Sequence, residues 1–473
     1  MPPVSQTNAT SVNVPEVEMP GTLAQCHEVI AAQALLLTRL QAQVAQLQER
    51  INLDSNNSSK PPSANGPGQR NRAQRRASER KRGAQPGHKG HSRAMQEESA
   101  LDAVIDCPAA STCECGQAIV PLDGEPQRHQ VFDVPPIKAQ VHEYRRYSGR
   151  CTGCNKLHLG ALPAGVPSGQ IGPRALALVG MLGTRYHLTQ GKTRHLMAQV
   201  LGVDFSIGAI SQAQGKVALA LKTPVQQANQ SLAVVPVKHL DETRFPREGG
   251  ANWVWVMSTP MVVTYSLYPS RARYVAQTLM GEPAQGVVVS DRYAVYEYVD
   301  VHHRQICWAH LLRDFTLISE RGGAAGRLGG RLLGLGRLMF RWRHQGKAAA
   351  AFETLQRRVR KALEQGVAQT CTRTAATCAN LLKLWPALWT FLKQANVPPT
   401  NNDAEQALRT VVLKRKISGP TRSRRGDDFI ARGFSAHESC RRQGRDLWDF
   451  LHASVLAWIN GTESPSLVPA PTG

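Results

Sequence analysis

A chain of 473 residues, 42% of them apolar, is too long for one core and reads as about two to four globular units. The 57 Lys and Arg against 35 Asp and Glu leave a net charge of +22, which favours a polyanionic partner, nucleic acid first, because neutralised phosphates release counterions. The sequence lacks an apolar run of membrane-span length and a secretory signal pattern, so the expectation is a cytoplasmic protein with reduced cysteines and no membrane partner.

Residues 1–20 are polar and aperiodic, the pattern of disorder. From 21 to 53, Leu23, Cys26, Ile30, Gln33, Leu37, Leu40, Val44, Leu47 and Ile51 follow alternating steps of three and four. That is an a/d seam, which predicts a coiled coil and a homo-oligomer; a helix packed on its own chain is the other reading. Residues 54–100 form a basic arm. Ten Lys and Arg between Lys60 and Arg93 face one acid, Glu79, and Arg75, Arg76, Lys81, Arg82 and Lys89 are candidate phosphate contacts on DNA.

Residues 101–160 hold Cys113 and Cys115 in "CECG" and Cys151 and Cys154 in "CTGC". The stretch between them alternates like two strands around Pro135-Pro136, which predicts a zinc-ribbon-like module with a structural Zn2+. The first pair has a tight one-residue gap, Cys107 is a candidate replacement ligand, and an empty reduced cluster is the alternative. Residues 165–225 read as helices. There "TRHLMAQVLGVDFSIGAISQAQ" has the grammar of a helix-turn-helix (HTH-like) DNA-binding region, with Ser206 capping a helix that exposes Ser211, Gln212 and Lys216; any helical hairpin shares this grammar. "QGKT" lacks the glycine a phosphate loop requires, since Tyr186 stands there.

From 232 to 315 the order is three antiparallel-type strands, helix, strand, strand, helix: a mixed α/β sheet with acids at strand ends. Residues 316–397 read as a helical insertion, 398–460 as closing helices and 461–473 as a disordered tail.

Three carboxylates stand out by placement: Asp241 in "HLDET", Asp291 in "VVVSD", and Glu405 in the first turn of the helix after the insertion. Converging hard oxygen ligands on a basic protein suit Mg2+, and a pair of such ions suits in-line phosphoryl transfer. Each acid also has a plain reading. Asp241 and Asp291 end strands, and Glu405 stands three residues after Asn402, a capping-box spacing, with Asp403 favouring the helix dipole. Arg409, one turn beyond Glu405, either orients it or holds a phosphate; Lys414, Arg415 and Lys416 are read as backbone contacts, and His310 of "CWAH" as a DNA contact or a core residue.

The strings "NSSKPPS", "GAQPGHKGHSR", the paired cysteines, "LDET", "SDRYAVY", "ICWAHLLRDF" and "NNDAEQALRTVVLKRK" occur in the order found in IS66-type insertion-sequence transposases, which this chain resembles over nearly its whole length. The resemblance implies an RNase H-like DDE catalytic domain with its carboxylates at Asp241, Asp291 and Glu405, not Asp403. It also implies Mg2+-dependent cleavage at element ends, strand transfer into double-stranded target DNA, and element-encoded accessory proteins as further partners. Arg244 and Arg292 depart from the Pro and Gly frequent in the family. A catalytically silent, zinc-containing DNA-binding regulator descended from such an enzyme is the alternative.

Overall fold

The computed structural model describes residues 21–52, 87, 89–90, 93–122 and 124–470, in two compact units divided after Arg80. The calls on residues 1–20, and on Arg75, Arg76, Lys81 and Arg82, lie outside the described residues; Lys89 is exposed and in no regular element. The first unit contains helix α1, Leu23–Asn52. Its seam residues Leu23, Ile30, Leu37, Leu40 and Val44 are exposed along the helix, as are Leu35 and Leu36.

In the second unit, the described residues of 101–147 form no strand, only an isolated bridge between Thr112 and Ala118. The predicted strands flanking Pro135-Pro136 are therefore corrected. The antiparallel hairpin is β1, Ser148–Arg150, with β2, Leu157–Leu159, and its turn carries Cys151 and Cys154. Alternation misled here because Val131, Val134, Ile137 and Val141 are exposed, so no buried face backs the pattern.

Four helices follow: α2 (Pro173–Thr184), α3 (Gln190–Leu201), α4 (Ile207–Ala220) and α5 (Lys222–Val234). Gly202 closes α3 in the left-handed conformation, and the Ser206 hydroxyl caps α4 by accepting from Ala209 N–H at 3.1 Å. Packing covers one face of α4. Ile210, Ala213, Gln214, Gly215, Val217, Ala218 and Ala220 are buried, and Arg425 donates to Ser211 Oγ. Of the three predicted contact residues Gln212 is exposed and Ser211 and Lys216 are half-buried.

The sheet has five strands in the order β5-β4-β3-β6-β7: β3 (Val237–Arg244), β4 (Trp253–Ser258), β5 (Val263–Tyr268), β6 (Val287–Ser290) and β7 (Arg304–Ile306). The first three are antiparallel, while β6 and β7 extend the sheet in parallel across the α6 (Arg273–Met280) crossover. All four residues of β6 are buried because helices cover both faces. Both sheet edges are closed by side chains. On β5, Val263 and Tyr265 N–H donate to Ser439 and Ser435 hydroxyls; on β7, Thr390 Oγ1 donates to Arg304 O at 2.6 Å.

Helix α7 (Trp308–Ser319) leads into α8 (Gly323–His344), α9 (Ala349–Val367), α10 (Thr372–Lys383) and α11 (Thr390–Lys393), the expected insertion. Their core includes Leu332, Phe352, Leu355, Trp308 and Trp389, joined to one face of β6 through Val287 and Val289. Val288 faces the other core, shared with α2–α5 and with α12 (Asn402–Ser418), α13 (Arg424–Gln443) and α14 (Leu447–Asn460). Trp308 N–H donates to Pro399 O at 2.9 Å, so the insertion leaves and returns at one point. The expected disordered tail is corrected over residues 461–470: Leu467 is fully buried and its carbonyl accepts from Gln443.

Candidate active site

The site is built by sheet register. β3 pairs in parallel with β6 from Val237↔Val287 to His239↔Val289, and the same register two residues on brings Asp241 level with Asp291, just past the end of β6. Asp241 is not at a strand end, as the sequence suggested. β3 runs on to Arg244, held there only by β4 (Asp241↔Val256), so its second half borders an opening where β6 has stopped. Asp241 Oδ1 accepts from Glu242 N–H at 2.8 Å and Asp291 Oδ1 from Tyr293 N–H at 2.9 Å. Behind Asp291, buried Arg304 donates to its carbonyl at 2.8 Å.

Loss of hydration pushes the Asp241 pKa well above the ordinary carboxylate range, reinforced by negative charge on Glu242, Asp291 and Glu405. Glu242 differs from its neighbour because it is satisfied: Arg271 Nε donates to it at 2.8 Å, and the Tyr296 hydroxyl bonds its other oxygen. Asp241 has no guanidinium or ammonium partner among the described residues.

Glu405 comes from α12, which packs across β3 and β4. The capping-box reading with Asn402 as N-cap is corrected. The N-cap is Asn401, its side chain makes no cap hydrogen bond, and it ties α12 to the sheet instead. Asn401 Nδ2 donates to Leu240 O at 2.6 Å, Oδ1 lies 3.0 Å from His239 Nδ1, and its backbone N–H reaches Cys307 Sγ at 3.1 Å. The Glu405 carboxylate is thereby directed toward the start of α7, with Oε1 3.4 Å from His310 Nδ1, 3.8 Å from Arg313 and 3.9 Å from Cys307 Sγ. Ligand atoms of Cys307, His310 and Glu405 all lie within 4.8 Å of one another. Burial, then Arg313, lowers the His310 pKa despite the nearby acids, so the imidazole is neutral at pH 7.

Asp403, two residues from Glu405, has a different fate: Arg442 donates to both its oxygens at 2.9 and 2.7 Å and the Ser258 hydroxyl at 2.5 Å. Lys414 is corrected from a surface contact. It is 5% exposed, donates to Leu188 O at 2.8 Å, and burial lowers its pKa to about 8. Arg415 reaches Arg244 O, while Arg409 and Lys416 are exposed on α12. Sequence reading missed Asn401, Arg304 and Arg313. Arg313 had a signal, three residues after His310 on the same helical face; the other two reach partners the sequence does not reveal.

Each cysteine pair forms its own turn. Hydrogen bonds from Cys115 lower the pKa of Cys113, and those from Cys154 lower that of Cys151, an environment suited to thiolate. Among the described residues, no three of these four sulfurs share one ligand set. Cys107 is exposed and apart.

Asp241, raised by loss of hydration and by the negative charge of neighbouring carboxylates, offers a hard oxygen short of positive charge, which fits a divalent cation. Fold and site together define an α/β protein with a carboxylate centre at the end of a parallel strand pair. The chain belongs to the IS66 family of transposases, whose family model matches residues 168–428. Residues 15–94 match a family of unknown function, DUF6444. The chain is also similar to the "Uncharacterized protein y4hP" of Sinorhizobium fredii (strain NBRC 101917 / NGR234), with 25% identity over 75% of this chain and 71% of that protein. Family membership gives the chain a transposase role and implies divalent metal use and DNA as partner. Among the described residues no helix is long and apolar enough to cross a membrane.

Proposed function

We propose that this transposase is an RNase H-like DDE enzyme that cleaves DNA at element ends and transfers the strand to target DNA. The observation that carries the reading is the β3–β6 register, which brings Asp241 level with Asp291, with Glu405 contributing to the same electrostatic centre. The strand order, antiparallel then parallel, supports the RNase H-like assignment. Asp241, Asp291 and Glu405 would hold Mg2+, which when bound supplies an activated water or 3′-hydroxyl and stabilises the leaving oxygen. The chain's own residues do the positioning. Asn401 fixes the start of α12 against β3, Arg304 holds the Asp291 backbone, and Arg313, 3.8 Å from Glu405, is the cation beside that carboxylate. The exposed α1 seam supports self-association, and the two cysteine turns support a structural Zn2+.

The test is a labelled element-end duplex with Mg2+, scored for nicking and for joining to target. Glu405→Gln should abolish both while end binding persists; normal cleavage by that variant would refute the assignment. Metal analysis of protein purified without chelator should find one Zn2+ per chain, lost when Cys151 and Cys154 become Ser.

A further inference from the structure

From Arg321 to Phe352 the chain has no Asp or Glu, and α8 lies wholly inside that stretch. Helical periodicity sorts its residues. Ala325, Leu328, Gly329, Leu332, Leu335, Gly336 and Met339 are buried, whereas Arg327, Arg331, Arg337 and Arg341 are exposed along the opposite face. None of the four is ion-paired among the described residues; Arg331 rests on Gln365 Oε1 at 2.8 Å. The helix dipole favours Arg341 near the C-terminus but does nothing for Arg327 and Arg331.

Gly323 begins α8 at a positive φ of 56°, and the other five glycines of the helix fall into two groups. Gly329 is required by packing, because a Cβ there would meet the Ser319 backbone, and a Cβ at Gly326 or Gly336 would press on Ser319 O or the Leu312 side chain of α7. Gly330 and Gly334 lie between the arginines on the exposed face, and a Cβ at either would meet nothing within 4 Å. Glycine weakens a helix interior, and nothing inside the chain repays it at these two positions. A bare backbone strip flanked by unpaired guanidinium groups suits close approach of a partner rich in phosphate.

We propose that this face of α8 is a binding surface for the sugar-phosphate backbone of duplex DNA, sequence-independent and separate from the carboxylate centre. Arg327 to Arg341 spans ~21 Å along the helix at 1.5 Å per residue, close to six steps of a DNA strand at ~3.4 Å each. Gly336, on the buried face, backs onto Trp308 and Leu312, so the stripe lies on the side of α8 turned away from α7.

The inference rests on duplex DNA being the substrate, and its test reads binding without divalent metal, independently of Asp241, Asp291 and Glu405. Anisotropy of a labelled random-sequence duplex is titrated across salt for the full chain and for the Arg327→Ala, Arg331→Ala, Arg337→Ala, Arg341→Ala variant. Each lost phosphate contact should lower the slope of log K against log salt by ~0.9, and low-salt affinity should fall at least tenfold. Gly334→Leu should keep or raise the melting temperature yet weaken binding, which a merely structural glycine would not do. Wild-type salt slope in the arginine variant, or wild-type affinity in folded Gly334→Leu, overturns the proposal. A wild-type chain that binds no duplex at all refutes the DNA substrate itself.

Discussion

Two acidic regions meet the same sheet and are compensated in opposite ways. Around Asp427, 2% exposed, Arg247 forms an ion pair, the Thr421 hydroxyl donates to the other oxygen at 2.5 Å, and Asn252 adds a third donor. Around Asp241 loss of hydration, then the negative charge of Glu242, Asp291 and Glu405, raises its pKa. The same contrast appears within one turn of α12, where Asp403 is clamped by Arg442 and Glu405 faces a neutral imidazole and one guanidinium at 3.8 Å. A carboxylate with its counter-charge supplied by the chain holds the fold; one left short of it has room for a cation from outside.

Substitution separates the two classes. Asp241→Asn should lower strand cleavage with Mg2+ by at least ~1,000-fold, about 4 kcal/mol of transition-state stabilisation, yet raise metal-free thermal stability because a buried like charge is removed. A variant that unfolds instead would merge the two classes. Asp427→Ala should do the reverse, costing about 3–5 kcal/mol of unfolding free energy in urea by stranding a buried arrangement of donors, with the folded fraction still cleaving.

A smaller effect tests a third buried site. His437 has its pKa lowered to about 4, chiefly by burial, with Glu438 opposing and His187 and Arg441 adding to the shift. Between pH 6.5 and 4 the unfolded chain therefore takes up a proton that the folded chain refuses, so stability falls as the pH falls through that window. The loss should reach about 2–3 kcal/mol below pH 4, and His437→Phe should flatten the slope measured by urea titration. Smallest of all, 10 mM Mg2+ should raise wild-type stability by about 1–2 kcal/mol if affinity is near millimolar, and Asp241→Asn should lose that response. An equal response in both would place the cation elsewhere.

The strands of the sheet were legible because apolar runs bounded by turns carry their own signal, and the acids were found beside them. That Asp241 comes level with Asp291 was not legible, since it depends on a parallel register between segments 50 residues apart. Asn401 was hidden for the same reason: its partners His239 and Leu240 are remote in the chain. Lys414 was readable and misread. Ala404, Ala407 and Val411 share its buried face at helical spacing, and that phase outweighs membership of a basic run. Helix α4 was legible as a capped helix but not in its role, because a capped helical hairpin has one pattern whether it packs in a bundle or reads a groove.

The hydrogen bond between Trp308 and Pro399, beside the contact of Asn401 with Cys307, closes the neck of the long excursion between α7 and α12. With the neck fixed, doubling the length of what lies beyond it costs only ~0.6 kcal/mol of closure entropy. The excursion is thus an exchangeable cartridge: descendants can trade it, and with it the grip on DNA proposed for α8, while Glu405 keeps its station.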